Sequence, residues 1–133
     1  AKDAEPAPDP VHPVHAEWYA TTAELPRRAY GCTAVSLLGG SQVAVFGGLD
    51  VSKGGEVTVS NACHIFHASG GYWRDVSHLE GAPPPSFEHA AAAVDGGRAM
   101  LVHGGRASTS QEEEPTNSLR CLEISDGGVL AWR

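Results

Sequence analysis

The chain has 133 residues, with nine Lys and Arg against 16 Asp and Glu for a formal net charge of −7. That balance, with no basic stripe, argues against a nucleic acid as principal partner, because a phosphate backbone is gripped chiefly by lysine and arginine. No apolar run approaches the roughly 20 residues that cross a bilayer as a helix, so no membrane association is expected.

Taken in chain order, residues 1–16 open with AKDAEPAPDPVHPVH, which is proline-rich and lacks both the apolar core of a secretory signal and the arginines of a transit peptide. It reads as a flexible or extended lead-in, and His12 and His15 within it support no structural metal site. Residues 17–26 carry Glu17-Trp18-Tyr19, read as the last strand of a preceding unit and its connector. From there the chain writes one pattern twice. Val43-Ala44-Val45-Phe46-Gly47-Gly48 lies over Met100-Leu101-Val102-His103-Gly104-Gly105, 57 residues later. At nearly that offset Cys32 falls on His89, Asn61 on Asn117 and Trp73 on Trp132. A long fixed period is the mark of a repeat architecture.

The apolar residues alternate with strand period, and neither copy holds a sustained helical stripe. Four strands per copy are expected, at 31–38, 42–46, 62–67 and 71–76 in the first and at 89–95, 98–103, 119–124 and 128–132 in the second. Gly39-Gly40-Ser41, Ser69-Gly70-Gly71, Asp95-Gly96-Gly97 and Asp126-Gly127-Gly128 supply the turns, so neighbouring strands run antiparallel. A glycine pair after a strand lets another backbone come close. A phosphate loop is the poorer reading, since neither a Walker lysine nor a helix follows.

Arg28, Tyr30, Gly31, Val45, Phe46, Gly47, Gly48, Asn61 and Trp73 in the first copy, with His89, Val102, Gly104, Gly105, Asn117 and Trp132 in the second, resemble the kelch repeat. Departures are Cys32 at the usual histidine, Ser86 at the arginine, Glu88 at the glycine, and Ala62 and Ser118 at the aspartate after asparagine. The resemblance implies an all-β fold of two four-stranded antiparallel β-propeller blades, over 27–81 and 82–133. It implies that Arg28 buttresses its blade. It also implies that Trp18, Trp73 and Trp132 pack blade on blade. Propeller rings close with roughly 4–8 blades. Two blades leave outer faces wet, so the chain is expected to be a fragment of a longer propeller, a subunit completed by partner chains, or an arc covered by another protein.

The function implied is a protein–protein interaction module or assembly scaffold without catalysis or cofactor. The alternative is part of a metal- or cofactor-dependent propeller enzyme whose other blades are missing. There is no G-x-S-x-G elbow or H-E-x-x-H helix. His64 and His67 are three apart in a strand and point to opposite faces, which weakens a shared metal ion. Cys32, Cys63 and Cys121 form an odd set that suits reduced core thiols, with a Cys63–Cys121 bridge as the alternative. The expected location is intracellular and cytoplasmic, with organelle and cytoskeletal assemblies left open.

Partners are expected to be other proteins, including chains that complete the ring, and no small-molecule substrate is expected. Loops on a rigid β scaffold carry recognition more often than the strands do. The longest loops, 49–60 and 106–116, should emerge at the same end as 20–28 and 79–88. Arg27 and Arg28 could clamp a carboxylate or phosphate. Asp50, Lys53, Glu56 and Arg106 accompany them, and Glu112-Glu113-Glu114 could meet a basic surface.

Overall fold

A computed structural model describes residues 16–18, 20 and 22–133. The described chain is all-β, with eleven strands: β1 (Ala29–Tyr30), β2 (Thr33–Leu37), β3 (Gln42–Phe46), β4 (Leu49–Val51), β5 (Val57–Val59), β6 (Cys63–His67), β7 (Tyr72–Asp75), β8 (Ala90–Val94), β9 (Ala99–His103), β10 (Leu119–Ile124) and β11 (Leu130–Trp132). They form two four-stranded antiparallel sheets, ordered β2-β3-β6-β7 and β8-β9-β10-β11, and a small sheet ordered β1-β4-β5. Each large sheet lies within one copy of the repeated pattern.

The eight strands expected in the two copies all form, trimmed by a residue or two at some ends. Matching turns close the first hairpins: Leu38, Gly39 and Gly40 take φ of +48°, +66° and +90°, and Asp95, Gly96 and Gly97 take +52°, +61° and +85°. The repeat thus extends to backbone conformation. It also explains Glu88, whose φ of +57° copies the +65° of Gly31 at the equivalent position, although glutamate resists that region.

Strand register assigns the faces. Val35 pairs with Ala44 and Ala44 with Ile65, while Phe46 pairs with Cys63, so these side chains share the front of the first sheet. Ala34, Val45, His64 and Asp75 share its back. In the second sheet Met100 pairs with Leu122 and Leu122 with Trp132, on one face, while Leu101 and Cys121 occupy the other. The buried cluster joins Val35, Leu37, Ala44, Phe46 and Ile65 of the first sheet to Met100, Val102, Leu122, Ile124 and Trp132 of the second.

These packed faces are not equivalent. Phe46, on the packed face of the first sheet, corresponds in the repeat to His103, on the outer face of the second. Val45 and Val102 correspond in the opposite sense. Front therefore meets back, and the arrangement is a head-to-tail stack rather than a symmetric sandwich. The inner strands β2 and β8 approach with Cα atoms within 8 Å. The described residues leave the stack open, with no closed ring.

Trp132 packs between the two sheets as expected. Trp73 lies on the far face of the first sheet, and neither it nor Trp18 packs sheet on sheet among the described residues. Trp132 is buried in the joint with its ring 5.5 Å from Phe46. Trp73 is half-buried, with its ring 5.1 Å from Phe66 and its indole N–H donating to the Ala23 carbonyl at 3.1 Å. Trp18, expected in a strand of a preceding unit, is fully exposed, and residues 16–18, 20 and 22–28 form no strand. No neighbouring strand lies beside it among the described residues, and a strand without a partner leaves its backbone groups unpaired. Tyr19, like His12 and His15, lies outside the described residues.

The small β1-β4-β5 sheet was not expected. It occupies the segment read as the loop 49–60, where Leu49-Asp50-Val51 and Val57-Thr58-Val59 flank Gly54-Gly55. Trp132→Ala is expected to cost about 3–5 kcal/mol, the usual range for emptying a large buried aromatic site, with Trp73→Ala costing less. Urea unfolding of the two variants checks the order, and equal losses would contradict the burial difference.

Candidate functional site

The joint between the sheets is built by main-chain groups that the glycine pairs make accessible. Gly48 N–H donates to the Ser86 carbonyl at 2.8 Å, and Ser86 N–H donates to the Ser60 carbonyl at 3.1 Å. The Asn61 side-chain amide reaches the Pro83 carbonyl at 3.4 Å. One extended segment of the second unit is held by three residues of the first.

Each glycine of the pair has its own task. A Cβ on Gly48 would lie 2.7 Å from the Tyr30 carbonyl oxygen and 2.8 Å from Cys32 N, and one on Gly105 would lie 2.8 Å from the Phe87 carbonyl oxygen and 2.9 Å from His89 Cβ. Tyr30 and Cys32 correspond to Phe87 and His89, so the second glycine admits the opening of its own unit. The first glycine admits the neighbour: a Cβ on Gly47 would lie 2.6 Å from His89 Cε1 and 2.7 Å from the Ser86 carbonyl oxygen. At Gly104 the same Cβ would meet only the Thr116 carbonyl oxygen, at 3.6 Å.

His89 fills the space so created. It is buried, lies edge-on to Phe46 at 5.2 Å, and has Nε2 2.8 Å from Thr33 Oγ1 and Nδ1 3.2 Å from Ser86 Oγ. Burial holds its imidazole below the usual 6.5. Ser86 is also buried, so this Ser–His contact belongs to the packed joint. Thr33 and Ser60 escaped the sequence reading, which took Ser86 only as a departure from the repeat, although a hydroxyl residue precedes the asparagine in both copies. Ser60 Oγ accepts from Ala62 N–H at 3.0 Å, and Thr116 Oγ1 from Ser118 N–H at 3.1 Å.

The equivalent groups on the outer side of the second sheet have no such segment against them among the described residues. Gly105 N–H, the Thr116 carbonyl and the Asn117 amide make no hydrogen bond among the described residues. Around them the outer face exposes Ala90, Ala92, His103 and Leu119, with Leu101 and Cys121 partly covered. A depression of about 660 Å³ on this side is lined by Ala99, Cys121, Glu123, Ala131 and Arg133 among others.

The loop residues divide. Arg27 is engaged in the fold: its guanidinium donates to Asp50 Oδ1 at 2.6 Å and to the Gly47 carbonyl at 2.8 Å, and its side chain is only 9% exposed. That is the buttress expected of Arg28, and it leaves Arg27 no free fork for a ligand. Arg28 itself is exposed, and Arg27, Arg28, Asp50 and Glu56 line one depression of about 270 Å³. Lys53 lines an adjoining one with Arg28. Arg106 bridges to Phe87 through the main chain and donates to the Ser110 carbonyl at 2.8 Å, while Glu112, Glu113 and Glu114 are exposed.

His64 and His67 fall on opposite faces of β6. Burial lowers the His64 pKa, opposed by Asp75, while hydrogen bonds from Ser77 lower that of Asp75. Burial pushes the Cys63 thiol up to about 12. All three cysteines are free thiols. Among the described residues no three His, Cys, Asp or Glu side chains gather as metal ligands, and no helix is long and apolar enough to cross a membrane. No protein-family model matches the chain, and no curated protein matches it.

Gly47→Ala and Gly104→Ala share the strain of positive φ, at +65° and +73°. Only the first also meets the neighbouring unit, so it is expected to destabilise by about 1–3 kcal/mol more, as overpacking does. Equal losses in denaturant titration would contradict the joint. Stability should also fall as pH drops below about 6.5. The unfolded chain then takes up protons that buried His89 and His64 resist, so the unfolded state binds more protons and stability rises with pH. His89→Gln should flatten that dependence, and a slope unchanged by the substitution would contradict the burial of His89.

Proposed function

We propose that the chain is a pair of kelch-type β-propeller blades that serves as a protein-binding module or assembly scaffold. The observation that carries this reading is the head-to-tail stack. Two sheets of the same construction meet front to back, which is how units of a repeat array are added without changing the contact. The resemblance in Gly-Gly, Asn and Trp supplies the family, and the matched positive-φ turns and Ser/Thr-Asn bends add support. The complete ring is formed by further blades of a longer polypeptide or by partner chains.

In this reading partners are recognised by the loop end. Arg28, Lys53 and Glu56 offer mixed charge on the β4–β5 side, and Glu112, Glu113 and Glu114 offer a negative patch that steers a basic surface. The alternative, part of a metal- or cofactor-dependent propeller enzyme, would need its reactive groups from sheets outside this chain.

A direct test is affinity capture by the wild-type chain beside the Glu112→Lys, Glu113→Lys, Glu114→Lys variant, at low and high salt. Loss of captured proteins in the variant, and their release by salt, is expected. An unchanged set under both conditions would remove the acidic loop from the binding surface.

A further inference from the structure

The geometry points to a second copy of this chain as the occupant of the outer face of the second sheet, docked head to tail through a repeat of the internal joint. This rests on the blade reading. Its basis is that the chain carries both halves of the joint, one at each side of the stack.

On the outer side of the second sheet stand the acceptor and donors already set out. Gly105 N–H and the Thr116 carbonyl occupy the places of Gly48 N–H and the Ser60 carbonyl, and Asn117 occupies that of Asn61. Gly104 leaves open the space that Gly47 gives to His89. On the other side of the stack stands the segment that would be held. Ala29 corresponds to Ser86 and Pro26 to Pro83, 57 residues apart in each case. Ala29 pairs with Asp50 next to the Val51 N–H to Arg28 carbonyl bond, so it takes a non-hydrogen-bonded position in the ladder. Its own N–H and C=O therefore point away from β4, as those of Ser86 point away from Arg106 and into the joint.

Side chains follow the same correspondence. Ala34, exposed on the back of the first sheet, corresponds to Ala91, which is packed against the core. In the copy-to-copy joint His103 takes the place of Phe46. It would meet Cys32 and Trp73, the counterparts of His89 and Trp132. The connector at 22–28 is no obstacle, because it lies over Trp73 through the Ala23 contact much as 79–82 lies over Trp132, where Leu79 and Ala82 pack against the core. A heterologous contact of this kind generates a ring when its rotation closes. Rings of roughly 4–8 blades would take between about two and four copies of a two-blade chain.

The test is sedimentation of the purified chain over about 1 μM to 1 mM, a range that brackets weak self-association, with two variants at exposed alanines. Ala92→Glu blocks the front of the second sheet and Ala34→Glu blocks the back of the first. The wild type is expected to associate, and each variant to weaken association by at least about tenfold, as an unpaired buried charge does. A mixture of the two variants should form a one-to-one complex, since each retains the half the other lacks. A wild type that stays monomeric over the whole range would overturn the proposal, as would association that persists in both variants or a mixture that stays monomeric. Amide exchange at Gly48 and Ser86 reports the internal joint separately. Protection there in a monomer would leave the blade reading intact while this proposal fails, and fast exchange at both would remove the blade reading with it.

Discussion

A four-stranded sheet with apolar side chains on both faces cannot stand in water by itself, and everything else in this molecule follows from how that surface is covered. Each packed residue of the first sheet's front finds the second sheet's back, and apolar area leaves water at about 25 cal/mol per Å². Such burial is non-directional, so it does not by itself choose front-to-back over front-to-front. The choice is made by main-chain geometry. Gly48, Ser60 and Asn61 hold the segment around Ser86, and that segment leads directly into β8, fixing which face of the second sheet turns inward.

The glycine pair makes this possible because one pair serves two close approaches. Its second member admits the backbone that opens its own unit, while its first admits the neighbour's histidine. Gly47 and Gly104 show the division clearly: the same residue is pressed by His89 in one copy and open in the other. Arg27 then ties the loop end down by joining Asp50 to the Gly47 carbonyl. The joint and the β1-β4-β5 sheet thus share an anchor, which places the exposed loop charges on a rigid base rather than on a free loop.

Much of the fold was legible in the sequence because strand alternation and glycine turns are local signals, and a second copy checks the first. The β8–β9 hairpin could be placed from Asp95-Gly96-Gly97 alone and confirmed against Gly39-Gly40. What escaped depended on contacts distant in sequence. Nothing local distinguishes Arg27 from Arg28, yet one is largely covered and the other exposed, because only Arg27 faces Asp50 and Gly47. Trp18 matched the spacing of the other tryptophans, but spacing cannot supply the neighbouring strand that would cover it. The hairpin 49–59 did carry a signal, alternation around Gly54-Gly55, hidden by its place in what the repeat treats as a loop.

The central claim is that the two sheets stack with unlike faces, and nuclear Overhauser contacts of the Phe46 ring test it most directly. The account predicts contacts from Phe46 to Trp132 and to His89, with none to Leu101 or Cys121 on the far side of the second sheet. Contacts from Phe46 to Leu101 or Cys121, with none to Trp132, would show like faces packed together and would contradict the stack on which the functional reading is built.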